Sequence, residues 1–243
     1  MADRPRTVDA SVRLAARRRQ RRRRRILQVG SVLAVLAVAA AALWTVYFSS
    51  TFAATTVSVT GTTVLSAGDV TAAAQVPLGT PLARIDTKAI AARVQKLQAV
   101  AAVTVTRVVP HGVRIAVKER TAVYALSASR GFDLVDASGV AYTSVPDVPK
   151  GLVVASISSG DDQRLRRDVA TVVAALPPAV HDRAVLVTAE TPDSIVIELS
   201  GGAEIVWGSA DSSSQKAQVI AALLSVRASV YDVSSPSHPT TKA

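Results

Sequence analysis

The chain contains no cysteine. That absence excludes disulfide scaffolds, thiol nucleophiles, thiolate zinc sites and iron–sulfur clusters. Asparagine is missing too, so no N-glycosylation acceptor exists. Aromatic residues make up only 4% of the 243 residues, although 49% are hydrophobic. The sequence holds no G-x-x-x-x-G-K-[ST] motif, which removes the phosphate-cradling loop of that nucleotide-binding class. Its three histidines, His111, His181 and His238, show no i, i+4 pairing, so no H-E-x-x-H metal site is present. No metal and no cofactor are expected.

The formal charge of +10 is concentrated at one end. Residues 1–25 hold eleven Arg (Arg4, Arg6, Arg13, Arg17, Arg18, Arg19 and the run from Arg21 to Arg25) and two Asp, a balance of +9. The other 218 residues hold 17 basic and 16 acidic side chains. A globular nucleic-acid binder spreads Lys and Arg over a folded face, and this chain does not. No aromatic residue is interleaved with the arginines to stack on bases. Nucleic acid is therefore not an expected partner.

Directly after Arg25 comes Ile26–Phe48, 23 residues without a charge. As a helix this segment spans about 35 Å, enough for a hydrocarbon core of about 30 Å. Trp44, Tyr47 and Phe48 cluster at its far end, where an interfacial aromatic belt sits. A cleavable leader has a shorter apolar region, of roughly 7–15 residues, so an uncleaved anchor is expected. Basic residues beside a span stay cytoplasmic. The reading is a cytoplasmic N-terminus, tail and span in contact with membrane lipid, and residues 49–243 outside.

The outer 195 residues begin with a small polar stretch, Ser49–Thr56. Thr56–Thr60 alternates as a strand and stops at Gly61. Ser66 is placed to cap a helix over Gly68–Gln75, and Asp86 or Thr87 a second over Lys88–Leu97, with Ile90, Val94 and Leu97 on one face. Val100–Val109 and Val113–Lys118 alternate on either side of Pro110-His111-Gly112. The order strand–helix–helix–strand–strand makes a small α+β module with two helices on one sheet face.

Those residues carry a resemblance. VSVTG, the helix entry Leu65-Ser66-Ala67-Gly68-Asp69-Val70, GTPLARIDT, the hairpin Arg107–Arg120 and FDLVDASGVAY, in that order, resemble the FtsQ/DivIB cell-division family. The chain departs from the family pattern at Val109, where an aromatic is usual, and at Leu97–Val100. The resemblance implies an α+β chain: one transmembrane helix, then a POTRA domain (βααββ), then a mixed β-rich domain with flanking helices. It implies a tail at 1–25, a span at 26–48, a linker at 49–55, the POTRA domain at 56–120, the β domain at 121–236 and a disordered end at 237–243.

In the later region, Phe132–Asp136 and Val140–Thr143 flank Ala137-Ser138-Gly139 as a hairpin, and Gly151–Ile157 is an apolar run. Asp161–Leu176 reads as a helix ended by Pro177-Pro178. Arg183–Thr188, Ser194–Leu199 and Ala203–Trp207 read as strands. A helix from Ser212 or Ser213 to about Arg227, a short strand Tyr231–Val233 and a frayed tail complete the chain.

Ser213-Ser214-Gln215-Lys216 matches S-x-x-K, yet the partner motifs S-x-N and K-T-G are missing. A Ser-capped helix with an exposed Lys is the expected role. The pairs Asp161/Asp162 and Asp133/Asp136 read as helix-end and hairpin charges rather than acid/base couples. No catalytic residue is therefore expected. Recognition through sheet edges is what remains, because an edge strand offers unpaired backbone groups to an added strand. The resemblance implies docking of small single-span partners of the FtsB/FtsL type at the last strand region, Tyr231, Asp232, Val233, Ser234, Ser235 and Pro236. It also implies a non-enzymatic scaffold for septal peptidoglycan synthesis, enriched at the septum. A POTRA-bearing envelope chaperone or translocation accessory is the alternative reading, and a membrane-anchored peptidoglycan enzyme the third.

Overall fold

The computed structural model describes residues 9–158 and 162–243. A single helix, α1 (Asp9–Phe48), opens it. Its 40 residues make a rod of about 60 Å. Leu27–Phe48 is its long apolar part, with a mean hydropathy of 2.2 and no burial inside the protein. Of the tail, residues 1–8 lie outside the described residues, and from Asp9 the backbone runs as helix straight into the apolar part.

The first domain has the expected order: β1 (Thr56–Thr60), α2 (Ala67–Ala74), α3 (Thr87–Val94), β2 (Val100–Val108) and β3 (Gly112–Glu119). Ser66 caps α2 by accepting from the Asp69 N–H, and Asp86 caps α3 by accepting from the N–H groups of Lys88 and Ala89. The sheet order is β1-β3-β2, with β1 parallel to β3 and β2 antiparallel to it. Period-2 alternation sends Val113, Ile115 and Val117 inward and Arg114 and Lys118 outward. Val70 and Ala74 of α2 and Ile90 and Val94 of α3 close over that face, with Leu82 and Ile85 between them.

The segment 49–55 does not hang free as a linker. Ser49 caps a single 3-10 turn, Ser50–Phe52. Ala53 then bridges to Pro81, and Ala54 is fully buried in the first domain's core.

The second domain is one nine-stranded sheet. Its strands are β4 (Ala122–Ala128), β5 (Gly131–Asp136), β6 (Ala141–Val145), β7 (Val153–Ile157), β8 (Ala184–Ala189), β9 (Ile195–Leu199), β10 (Glu204–Gly208), β11 (Val230–Asp232) and β12 (Thr240–Lys242). The order is β12-β11-β10-β9-β8-β7-β4-β5-β6. The helices are α4 (Gln163–Ala175), the short α5 (Pro178–His181) and α6 (Ser213–Leu223). Leu165, Val169, Val172 and Val173 of α4 and Ile220 of α6 share one core with Tyr124, Val153, Val187, Ile197 and Trp207 of the sheet. Asp162 caps α4; Asp161 lies outside the described residues.

Several elements differ from the sequence reading, among them α5, which begins at the Pro177-Pro178 read only as a helix stop. β4 was not expected: Tyr124, Ala125 and Leu126 are buried in succession, so the period-2 signal is lost, and a register shift sits at Ala122/Tyr124. α6 stops at Leu223 rather than near Arg227, because the Val226 N–H closes a tight turn onto the Leu223 carbonyl and the Val226 carbonyl accepts the Tyr231 hydroxyl. The end read as frayed forms β12, antiparallel to β11.

Candidate partner-binding surfaces

At one end of the large sheet, β10, β11 and β12 lie side by side. Tyr231 is buried, and its hydroxyl donates to the Val226 carbonyl at 2.8 Å while accepting from the Ala228 N–H at 3.2 Å. Val233 is fully buried, and its N–H donates to the Val206 carbonyl at 3.0 Å. Asp232 accepts from both the N–H and the hydroxyl of Ser234, which fixes the turn that follows the strand. The residues expected to meet a partner are thus divided. Tyr231 and Val233 hold the sheet together from inside, whereas Ser234 and Ser235 are exposed and Pro236 is half-buried.

The strand β11 is also not an edge. It is parallel to β10 on one side and antiparallel to β12 on the other. The rim belongs to β12, whose three residues, Thr240, Thr241 and Lys242, are exposed. An all-polar strand carries no hydrophobic signal in sequence, so only its non-local pairing reveals it. The Ser229 N–H and hydroxyl both donate to the Lys242 carbonyl, tying β12 down. A recess of about 420 Å³ opens beside it, lined by Gly201, Gly202, Arg227, Ser229 and Ala243. The opposite rim is β6, and the first domain's sheet has β1 and β2 at its edges.

The S-x-x-K pair has another use. The Ser213 hydroxyl donates to the Ala210 carbonyl at 2.7 Å and accepts from the Trp207 indole N–H at 3.1 Å. Lys216 is buried, not exposed as the sequence suggests. Its ammonium donates to the carbonyls of Trp207, at 2.9 Å, and Ser209, at 2.8 Å. Burial pushes its pKa down, and Asp211, Asp193 and Asp232 act in the opposite sense. The two side chains fasten α6 onto β10 rather than facing each other across a cleft.

The carboxylates are equally committed. Asp133 accepts from Ser144, and Asp162 caps α4. Asp136 accepts from the N–H groups of Ser138 and Val140, from the Ser138 hydroxyl and from the Arg120 guanidinium. Burial raises its pKa, but those donors outweigh it and the net direction is down. Glu119 accepts from the N–H groups of Thr63, Val64 and Leu65, and these outweigh a similar upward push from burial. The histidines are dispersed: His111 lies near the Ala53 carbonyl, His181 beside Asp182, and His238 beside Ser237. Among the described residues no cluster of three His, Cys, Asp or Glu is placed to hold a metal ion.

Comparison with known proteins agrees with this architecture. The family model described as POTRA domain, FtsQ-type, matches residues 52–120. That interval takes in the first domain together with the buried Ala53 and Ala54. Cell division protein FtsQ of Streptomyces venezuelae is 38% identical over 218 residues, 85% of this chain and 80% of that protein. Cell division protein FtsQ of Streptomyces coelicolor is 36% identical, over 85% of this chain and 84% of that protein. For Cell division protein FtsQ of Mycobacteroides abscessus the identity is 32%, over 89% of this chain and 70% of that protein. The match extends well past the first domain into the nine-stranded sheet, and on that basis the chain belongs to the FtsQ family of cell division proteins.

Proposed function

We propose that this chain is a single-span cell-division scaffold. The short basic tail stays in the cytoplasm, α1 crosses the membrane, and both sheet domains stand outside. There they gather other membrane division proteins, of the FtsB/FtsL type, at sites of septal peptidoglycan synthesis. The work is assembly, and no covalent step is assigned to it.

The observation that carries this reading is the rim of the large sheet. Adding a strand to a sheet edge gives affinity through backbone hydrogen bonds and specificity through neighbouring side-chain recesses. β12 is short, polar and terminal, and the recess walled by Arg227 lies beside it. The partner segment is received along β12 and the turn Ser234–Pro236, with Tyr231, Asp232 and Val233 as the support behind them.

The test combines imaging and capture. A fluorescent protein is fused to the N-terminus of the full chain, and the native copy is depleted. Mid-cell bands, with unseptated filaments on depletion, are expected. Thr241→Pro removes a backbone donor from β12. It should lower recovery of an FtsB/FtsL-type partner at least several-fold while the chain remains in the membrane. Uniform envelope signal with normal septation overturns the division role. Unchanged capture by the Thr241→Pro chain overturns the assignment of the rim.

A further inference from the structure

The first domain meets the end of α1 through a rim with its own chemistry. Phe48 is the last residue of α1, and its ring stacks on Trp44 at 4.5 Å. Five residues later Ala53 bridges to Pro81. Fully extended, five residues reach only about 17 Å, and this stretch is a compact turn. The Ala54 N–H donates to the Thr80 carbonyl and the Gly79 N–H to the Ala54 carbonyl, which stitches the loop 77–81 to the helix exit. From the other side, the N–H groups of Thr55 and Thr56 both donate to the His111 carbonyl, which brings in the β2–β3 turn.

Two apolar tips result. Leu78 is 59% exposed on the loop, and Val109 is 72% exposed on the turn, next to the exposed Pro110. Two exposed arginines accompany them. Arg84 lies over the Phe48 ring, 5.9 Å from its centroid, and Arg107 donates to the neighbouring Ile85 carbonyl at 2.8 Å. The nearby carboxylate, Asp86, is engaged in capping α3. The other large exposed hydrophobic residue of this domain, Val64, sits past the far end of β1.

The geometry points to a membrane-bound rim. Leu78, Val109 and Pro110 enter the boundary between headgroups and acyl chains, and Arg84 and Arg107 bind anionic phospholipid headgroups of the leaflet in which α1 ends. Apolar tips flanked by long cations that reach toward phosphate suit such an interface. This assignment rests on the single-span reading of α1, and it makes the first domain a peripheral membrane domain as well as a tethered one.

The absence of cysteine makes the test direct. Single substitutions Leu36→Cys, Val64→Cys, Leu78→Cys and Val109→Cys are introduced into the full chain. Each is labelled with bimane and reconstituted in vesicles of 7:3 phosphatidylcholine and phosphatidylglycerol, or of phosphatidylcholine alone. Nitroxide lipids with the quencher at the headgroup or mid-chain report depth. The expected result is mid-chain quenching at position 36, headgroup quenching at 78 and 109, and little at 64. Headgroup quenching should weaken in phosphatidylcholine alone. Arg84→Gln with Arg107→Gln should weaken the bound population by roughly five-fold per charge removed. A quenched label at 36 with unquenched labels at 78 and 109 overturns the rim while leaving the span intact. An unquenched label at 36 overturns both. Equal quenching in the two lipids overturns the anionic assignment.

Discussion

The guanidinium of Arg120 reaches out of the first domain and donates to the carboxylate of Asp136 in the second. The same side chain donates through Nε to the Gln98 carbonyl at 3.0 Å, so one residue holds both domains. Only two residues separate β3 from β4, which leaves little chain to bend. The side chains of Arg120 and Asp136 are 17% and 10% exposed, so the pair is poorly screened by water.

Arg120→Ala is expected to destabilise the junction by about 2–4 kcal/mol, because it leaves a buried carboxylate without its cation. Asp136 also sets a pH dependence. Its folded pKa is depressed, so its contribution is present above the ordinary carboxylate pKa and is lost as pH falls through the lower folded value. Glu119 acts in the same direction. Thermal melts of the full chain from pH 7 to pH 3 should show a falling melting temperature, with a shallower fall in Asp136→Asn.

Gly139 turns the β5–β6 hairpin at φ +76°, in the left-handed region. A Cβ there would sit 2.5 Å from the Gln163 carbonyl oxygen and 2.6 Å from the Arg167 nitrogen, both backbone atoms of α4. Gly139→Ala therefore meets strain and a clash together. The expected cost is about 3 kcal/mol, read as a shift in a urea unfolding midpoint.

Removing the Lys216 side chain leaves the carbonyls of Trp207 and Ser209 unpaired and opens a cavity. Lys216→Ala should cost about 3 kcal/mol, and Lys216→Met, which keeps the stem, clearly less. Because burial lowers the folded pKa of this ammonium, the native state releases its proton before the unfolded state does. Stability from this group therefore rises with pH between the folded value and the ordinary lysine value. Lys216→Met should lack that alkaline rise in a denaturation series.

Ser213→Ala tests whether the S-x-x-K pair does more than hold α6. The variant strands the buried Trp207 indole N–H, for a cost of about 1–2 kcal/mol. A shift in Trp207 fluorescence and a lower unfolding midpoint are expected. Partner capture should be unchanged.

The local grammar of the first domain was readable because each signal has a local cause. Ser66 and Asp86 cap the helices they precede, and Val113, Ile115 and Val117 alternate on one exposed-backed strand. The second domain was less readable where the cause is distant. β4 is buried over three successive residues and loses its period, while β12 exists only because β11 is there to pair with it. Of the expected contact residues, Tyr231 and Val233 pack into the core and β11 is paired on both sides, and neither fact has a local signal in Tyr231–Pro236. The Arg120–Asp136 pair carries no sequence signal, since an arginine and an aspartate 16 residues apart become neighbours only through the sheet.

Rotation of α1 has a consequence for assembly. The helix passes into the first domain through one tight turn and a core residue, Ala54, and the second domain is fastened to the first at Arg120. Each residue added to a helix advances its phase by about 100°. An alanine inserted before Trp44 would swing both domains by that angle about the axis of α1, with every contact surface unchanged in composition. Compass bearing, set by the helical phase of the span, is thus part of what this chain offers its neighbours.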